Sequence, residues 1–221
     1  MEQEVKTSSA KPSLLGMIWS PGEQFDRIRQ NPRIWVPLIL VSIIYSIGMF
    51  LMAMSMDASY LGLEGMSDAE AEMVMMFARG GVAITGIFTP VFVALISSAI
   101  YMIFTKIAGS DATFKQLFSM NVHIIVIGGF GLIVNMALRA AIGGNPEIFI
   151  TSLAGLMNSE KPGVLGSIEL FSIWQSVITA LGLQRVAGLS KGWAWGIAIA
   201  FFIIGILFAL LSNTVSGMTG V

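Results

Sequence analysis

The chain has 221 residues, of which 11% are charged and 55% apolar, with 12 Lys and Arg against 13 Asp and Glu and no cysteine. The near-neutral charge excludes bulk attraction to nucleic acid, and the missing thiols exclude disulfides and thiolate metal sites. The shortage of polar residues excludes a water-soluble globule, and the length leaves no room for a separate soluble catalytic domain.

In chain order, residues 1–12 read as a mobile polar cytoplasmic tail. Residues 13–33 read as a cytoplasmic interfacial segment. Its Ser20-Pro21-Gly22-Glu23 run is a helix start, with Ser as cap, Pro at the first helical position and Glu three residues on. Asn31-Pro32 ends that helix. Phe25 and Ile28 share one face and Arg27 and Arg29 another, the pattern of a helix lying in the membrane interface with arginine near lipid phosphate. Trp19, Pro21, Phe25, Arg27, Ile28, Arg29 and Arg33 form either a topology-setting anchor or a docking surface for a partner.

Residues 34–213 form the membrane domain. The stretches 34–56, 80–105, 116–138 and 193–221 contain no Asp, Glu, Lys or Arg, and 162–184 contains only Glu169. Each is long enough to cross a hydrocarbon core, which takes about 20 apolar helical residues. Backbone groups cannot be satisfied by water there, so the crossings must be helical. The expected fold is therefore all-α, a polytopic bundle of five transmembrane helices near 34–56, 81–105, 117–138, 164–184 and 193–213, with an outer C-terminal tail over 214–221.

Two further surface helices are expected between spans. One starts at Ser67-Asp68-Ala69-Glu70 and is separated from the second span by Gly80-Gly81. The other starts at Asn145-Pro146-Glu147 and carries an apolar stripe through Met157, lying in the interface or re-entering the membrane. Basic residues gather on alternate connections: Lys6, Lys11, Arg27, Arg29 and Arg33, then Lys106 and Lys115, then Arg185 and Lys191. Those segments should be cytoplasmic, which places the N-terminus inside and the C-terminus outside.

Polar groups inside spans draw a functional hypothesis by default. Glu169 lies at the outer end of the fourth span, at the depth of Arg139 on the third. The two are expected to pair or to sit at the interface, with a proton-relay or ligand role for Glu169 as the sharper alternative. His123 near Asn121 reads as hydrogen-bonding glue between helices rather than as a ligand. Asn121, Gly128 and Asn135 recur every seven residues on one face, and with Gln175 they suggest a polar seam between spans three and four. Gly128 and Gly131 are expected to let helices approach closely. Gly192, Gly196 and Ala200 form a stripe of small residues, for internal packing or a dimer seam. One His and no Cys make a protein metal site improbable, and no phosphate-binding loop, metalloprotease helix or nucleophile elbow is present. No catalytic residue, metal or cofactor is expected.

Leu15-Gly16, Ser20-Pro21, Phe25, Ile28, Pro32 and Pro37-Leu38 resemble the opening of bacterial Yip-domain proteins, a family named for members that interact with Ypt/Rab GTPases. Thr113-Phe114-Lys115-Gln116-Leu117 resembles the family's second cytoplasmic loop. Glu169 to Trp174, Gly182-Leu183 and Ser190-Lys191 resemble its fourth span and the loop after it. The similarity runs from about residue 13 to 210. The fourth-span acid is Glu here where Asp is common, and the Asp-Leu-Tyr-Gly-Pro segment of eukaryotic members is absent. The opening and the size are closest to small bacterial members associated with an ABC-type exporter involved in resistance to a toxic peptide.

By that resemblance the protein is a non-enzymatic accessory in the cell membrane that helps assemble or regulate such an exporter. Its expected partners are the lipid bilayer, an ABC-type permease or another membrane protein, and a second copy of the chain. A small transporter or channel using the polar seam, and a membrane-shaping scaffold, are the alternative readings.

Overall fold

Residues 10–63 and 65–219 are described by a computed structural model. Most of the expected N-terminal tail, the acidic Glu64 and the last two residues of the expected outer tail lie outside the described residues. The described chain forms α1 (Gly16–Trp19), α2 (Pro21–Gln30), α3 (Trp35–Met54), α4 (Asp68–Ile107), α5 (Phe114–Ile142), α6 (Leu153–Leu156), α7 (Gly163–Ser167), α8 (Leu170–Arg185) and α9 (Lys191–Thr219). Strand pairing among the described residues is limited to one isolated antiparallel bridge, Ser152 with Glu169. Among the described residues, four helices are long and apolar enough to cross a membrane: α3, α4, α5 and α9 through Leu211.

The fourth expected span, 164–184, is divided. α8 has 16 residues, about 24 Å at 1.5 Å per residue, against a hydrocarbon core of about 30 Å. Glu169 is the reason. It adopts an extended conformation, and its carboxylate accepts from Ser172 N, so it caps α8 and does not continue α7. Leu153 N donates to Ile168 O at 3.0 Å and Leu170 N to Thr151 O at 3.1 Å. The incoming loop thus satisfies backbone groups that the break exposes, as membrane depth requires.

Two expected boundaries are corrected. Gly80-Gly81 does not separate a surface helix from the second span, because α4 runs unbroken for 40 residues from Asp68. Glycine inside a helix costs only about 1 kcal/mol, which one continuous ladder of backbone bonds absorbs. At about 60 Å, α4 is twice the thickness of the hydrocarbon core, so part of it projects beyond. Its start is the expected one, with Ser67 and Glu70 forming a capping box. In the other loop, Asn145-Pro146 starts a turn and not a helix: Asn145 Oδ1 accepts from Glu147 N at 2.8 Å. Only α6 is helical there, and the chain folds back so tightly that a Cβ on Gly155 would lie 2.3 Å from Phe149 O. At the C-terminus, α9 continues to Thr219, past the expected end at 213.

α5 is the centre of the bundle. Of its membrane-spanning stretch 72% is buried, against 28%, 22% and 17% for α3, α4 and α9. Small residues set the approaches. A Cβ on Gly86 of α4 would lie 2.7 Å from Ser46 Cα, so α3 and α4 touch backbone to backbone. Side chains at Gly129 and Gly131 would strike Ile44 and Phe171. α9 leans on α4 through the edge-on Tyr101–Phe201 pair, 4.8 Å between centroids.

The apolar face of the N-terminal helix, expected at the membrane interface, packs on protein. Met17, Phe25 and Ile28 are fully buried, in one cluster with Leu117, Met120 and Leu183. α2 therefore closes the end of α5 and α8 where the basic residues gather. Its polar side faces outward, with Arg27 on Glu23 and Asp26 on Arg185 at 3.0 Å.

Candidate functional site

A buried polar arrangement lies at the break before α8. Asn135 on α5 is fully buried, and Glu169 is 6% exposed. Thr151, from the loop after α5, joins them. Its backbone N–H donates to Asn135 Oδ1 at 3.0 Å, its hydroxyl accepts from Asn135 Nδ2 at 2.8 Å, and the same hydroxyl donates to Glu169 Oε1. The second carboxylate oxygen accepts from Ser172 N at 2.8 Å. A hydroxyl that accepts from an amide and donates to a carboxylate relays between the two, using its one proton on the carboxylate. The result ties α5, the loop and α8 together at one depth.

Arg139 and Glu169, expected to pair, each bond elsewhere. Arg139 Nε and Nη2 donate to Ile148 O at 2.9 and 2.6 Å, and Nη1 donates to Gly143 O at 3.0 Å. The guanidinium fork holds the loop that delivers Thr151, so its charge is spent on carbonyls and not on the carboxylate. Gly144 leaves room for it: at φ +93° a Cβ there would lie 2.7 Å from Arg139 Nη1.

The expected polar seam is distributed among three neighbours. Asn121 Nδ2 donates to Ser98 Oγ on α4 at 2.8 Å. Gly128 faces the Tyr45 hydroxyl of α3 and the Gln175 amide of α8. Asn135 reaches the loop. A central helix meets different elements at successive heights, so one stripe of its surface serves several contacts. His123 is fully buried, with Nδ1 2.7 Å from Ser119 O, while Nε2 has no hydrogen-bond partner among the described residues. Donation to a carbonyl requires the proton on Nδ1. Among the described residues no group of three or more His, Asp or Glu is placed to hold a metal ion.

Thr151, Ser98 and Ser119 were not foreseen. Thr151 and Ser152 do stand as a polar pair directly after Ile148-Phe149-Ile150, a signal that this loop turns inward. Ser119 Oγ donates to Arg33 O at 2.6 Å, and Gln116 Nε2 to Arg29 O at 2.8 Å, fastening the end of α2 and the segment after it to α5. On the outside of the bundle, Trp19 and Trp35 are exposed. Gly192, Gly196 and Ala200 line an apolar groove of about 670 Å³ beside Ile100 and Phe104 of α4. Nothing lies within 4 Å of a Cβ at Gly192 or Gly196. This stripe is thus open and does not serve internal packing.

A model of the Yip1 domain matches residues 15–212. The chain belongs to the Yip1 domain family. It is also 34% identical to "Membrane protein YknW" of Bacillus subtilis, over all of this chain and 98% of that protein. No solved structure is matched by the chain. The Yip1 domain match begins before the docked N-terminal helices and ends within α9, so it takes in α2 as well as the crossing helices. With its apolar helices and this membrane relative, this Yip1 domain is a multi-pass membrane protein.

Proposed function

We propose that this Yip1-family protein is a non-enzymatic accessory subunit of the cell membrane that assembles with or regulates an ABC-type exporter, in the context of resistance to a toxic peptide. Five segments cross the bilayer, the N-terminus is cytoplasmic and the C-terminus is outside. The reading draws on the full-length similarity to YknW and the exporter association expected of small bacterial members.

The observation that carries it is the open groove on α9. Gly192, Gly196 and Ala200 form a floor of small residues between the walls Ile100, Phe104 and Ile204. In lipid, helices associate by close packing over small residues, since no hydrophobic gain separates protein from acyl chain. A groove of this shape suits one crossing helix of a permease. The exposed Trp19 at the basic end offers a second contact on the cytoplasmic side.

The chain has no cysteine, so Gly196→Cys creates a unique thiol in the groove. Co-expressed with an exporter permease carrying cysteines along its peripheral helices, it should crosslink at a few positions of one helix, and Gly196→Trp should abolish co-purification. A crosslink only to a second copy of this chain would replace the permease with a homodimer.

A further inference from the structure

A second cavity, of about 400 Å³, lies between α4, α8 and α9. Ser172, Gln175, Ser176 and Thr179 line it from α8, at i, i+3, i+4 and i+7, which is one complete helix face. Ser97 and Tyr101 extend the polar wall on α4, and Ala198, Phe201, Phe202 and Ile206 of α9 form the apolar wall opposite. No charged side chain lines the cavity.

The α8 hydroxyls donate to carbonyls of their own helix: Ser172 Oγ to Glu169 O at 2.8 Å, Ser176 Oγ to Ser172 O at 2.9 Å and Thr179 Oγ1 to Gln175 O at 2.8 Å. Ser172 Oγ also accepts from Glu169 N at 3.3 Å and Thr179 bonds the Tyr101 hydroxyl, so the Ser176 lone pairs and the half-buried Gln175 amide are what remain for a ligand. A polar wall facing an apolar one within the bundle suits an amphipathic occupant. From Ser172 to Thr179 the wall spans about 10 Å along the helix. It starts beside Ser167 at the break and descends toward the middle of the bundle.

We propose that this cleft binds the glycerol and ester region of a neutral diacylglycerol-class lipid, with its acyl chains along the apolar α9 wall. The ligand must present hydroxyl and ester groups for a wall of hydroxyls and one amide. It must be uncharged, because no cation lines the cleft and the carboxylate of Glu169, next to its upper end, is already engaged by Thr151 and Ser172. The volume suits a head region with its first methylenes and falls in the ordinary range for small-molecule sites.

The test uses the full chain in phosphatidylethanolamine–phosphatidylglycerol nanodiscs with a diacylglycerol analogue carrying a diazirine near its ester. Photolabel is expected on peptides spanning 167–179 and 198–206, displaced by excess dioleoylglycerol but not by dioleoylphosphatidylglycerol. The double variant Gln175→Leu/Ser176→Ala should weaken labelling about tenfold, equivalent to about 1.4 kcal/mol. Gly205→Leu provides an independent variant: Gly205 lines the cleft, and a Cβ there meets nothing within 4 Å, so the leucine fills the cavity without touching a hydrogen bond. It should abolish labelling while the protein stays monodisperse. Label spread evenly over the lipid-facing helices, equal displacement by phosphatidylglycerol, or full labelling of Gly205→Leu would each overturn the assignment.

Discussion

A carboxylate deep in a membrane protein persists only where its oxygens are occupied, because desolvation otherwise outweighs what it contributes. Glu169 meets that condition through one hydroxyl and one backbone N–H. Thr151 is the hinge of the arrangement, since it bonds both Asn135 and Glu169. Thr151→Val keeps the shape of the side chain and removes the hydroxyl, leaving two buried polar groups short of a partner. The expected loss is about 1–2 kcal/mol, at the upper end for intramembrane hydrogen bonds. Glu169→Gln keeps an oxygen for the α8 cap and an amide facing Thr151, and should cost about half as much. Thermal unfolding in detergent checks the order. If Glu169→Gln proves the more damaging, the charge itself matters and a proton-linked role regains support. The importance of Glu169 was legible from its position as the one acid in an apolar stretch. Its partner was not, because Thr151 comes from a loop whose inward turn depends on contacts distant in sequence.

At the scale of elements, α2 is a plug. Phe25 packs where a Cβ on Gly182 would come within 3.0 Å of its ring, between α5 and α8. Removing a fully buried phenylalanine side chain costs about 3–5 kcal/mol when the surroundings do not collapse. Phe25→Ala should release α2 from the bundle, exposing Arg27, Arg29 and Arg33 to trypsin in detergent-solubilised protein. Protease resistance equal to the parent would show that α2 is held by its polar bonds instead. The amphipathic pattern of α2 was readable, but it does not say whether the apolar face meets lipid or protein, which are equally greasy. The same ambiguity hid the central place of α5. Its crowd of glycines with Asn121, His123 and Asn135 was the available signal, because side chains of those kinds are tolerated in a membrane mainly where protein surrounds them. The capping box at Ser67 marked the true start of α4, whereas Gly80-Gly81 and Asn145-Pro146 misled. Local breakers act only where tertiary contacts do not override them.

For the whole molecule, topology rests on α8. At 16 residues it is shorter than a usual crossing, yet it links the two ends of the bundle. Its start is bridged to the loop around Ser152, while Arg185 meets Asp26 and Ala187 O accepts from Ser110 Oγ at 2.6 Å. Residues 110 and 187 therefore stand at one end, with α2, and residues 152 and 169 at the other. On the proposed five-span reading α8 follows the same path, with α7 and local thinning or tilt making up the length. Arg27, Arg29, Arg33, Lys106, Lys115, Arg185 and Lys191 all belong to the first end, which the proposed orientation, resting on the positive-inside bias, puts in the cytoplasm. Because the chain is free of cysteine, single thiols at exposed sites report the side directly. Met66→Cys and Glu160→Cys should react with a membrane-impermeant maleimide on intact cells, and Lys115→Cys and Lys191→Cys only after permeabilisation. Lys191 is the decisive site. Labelling of Lys191→Cys from outside, with Lys115→Cys still protected, would mean that α8 re-enters without crossing and that four helices alone span the membrane. The reverse of the whole pattern would keep all five crossings and invert the protein.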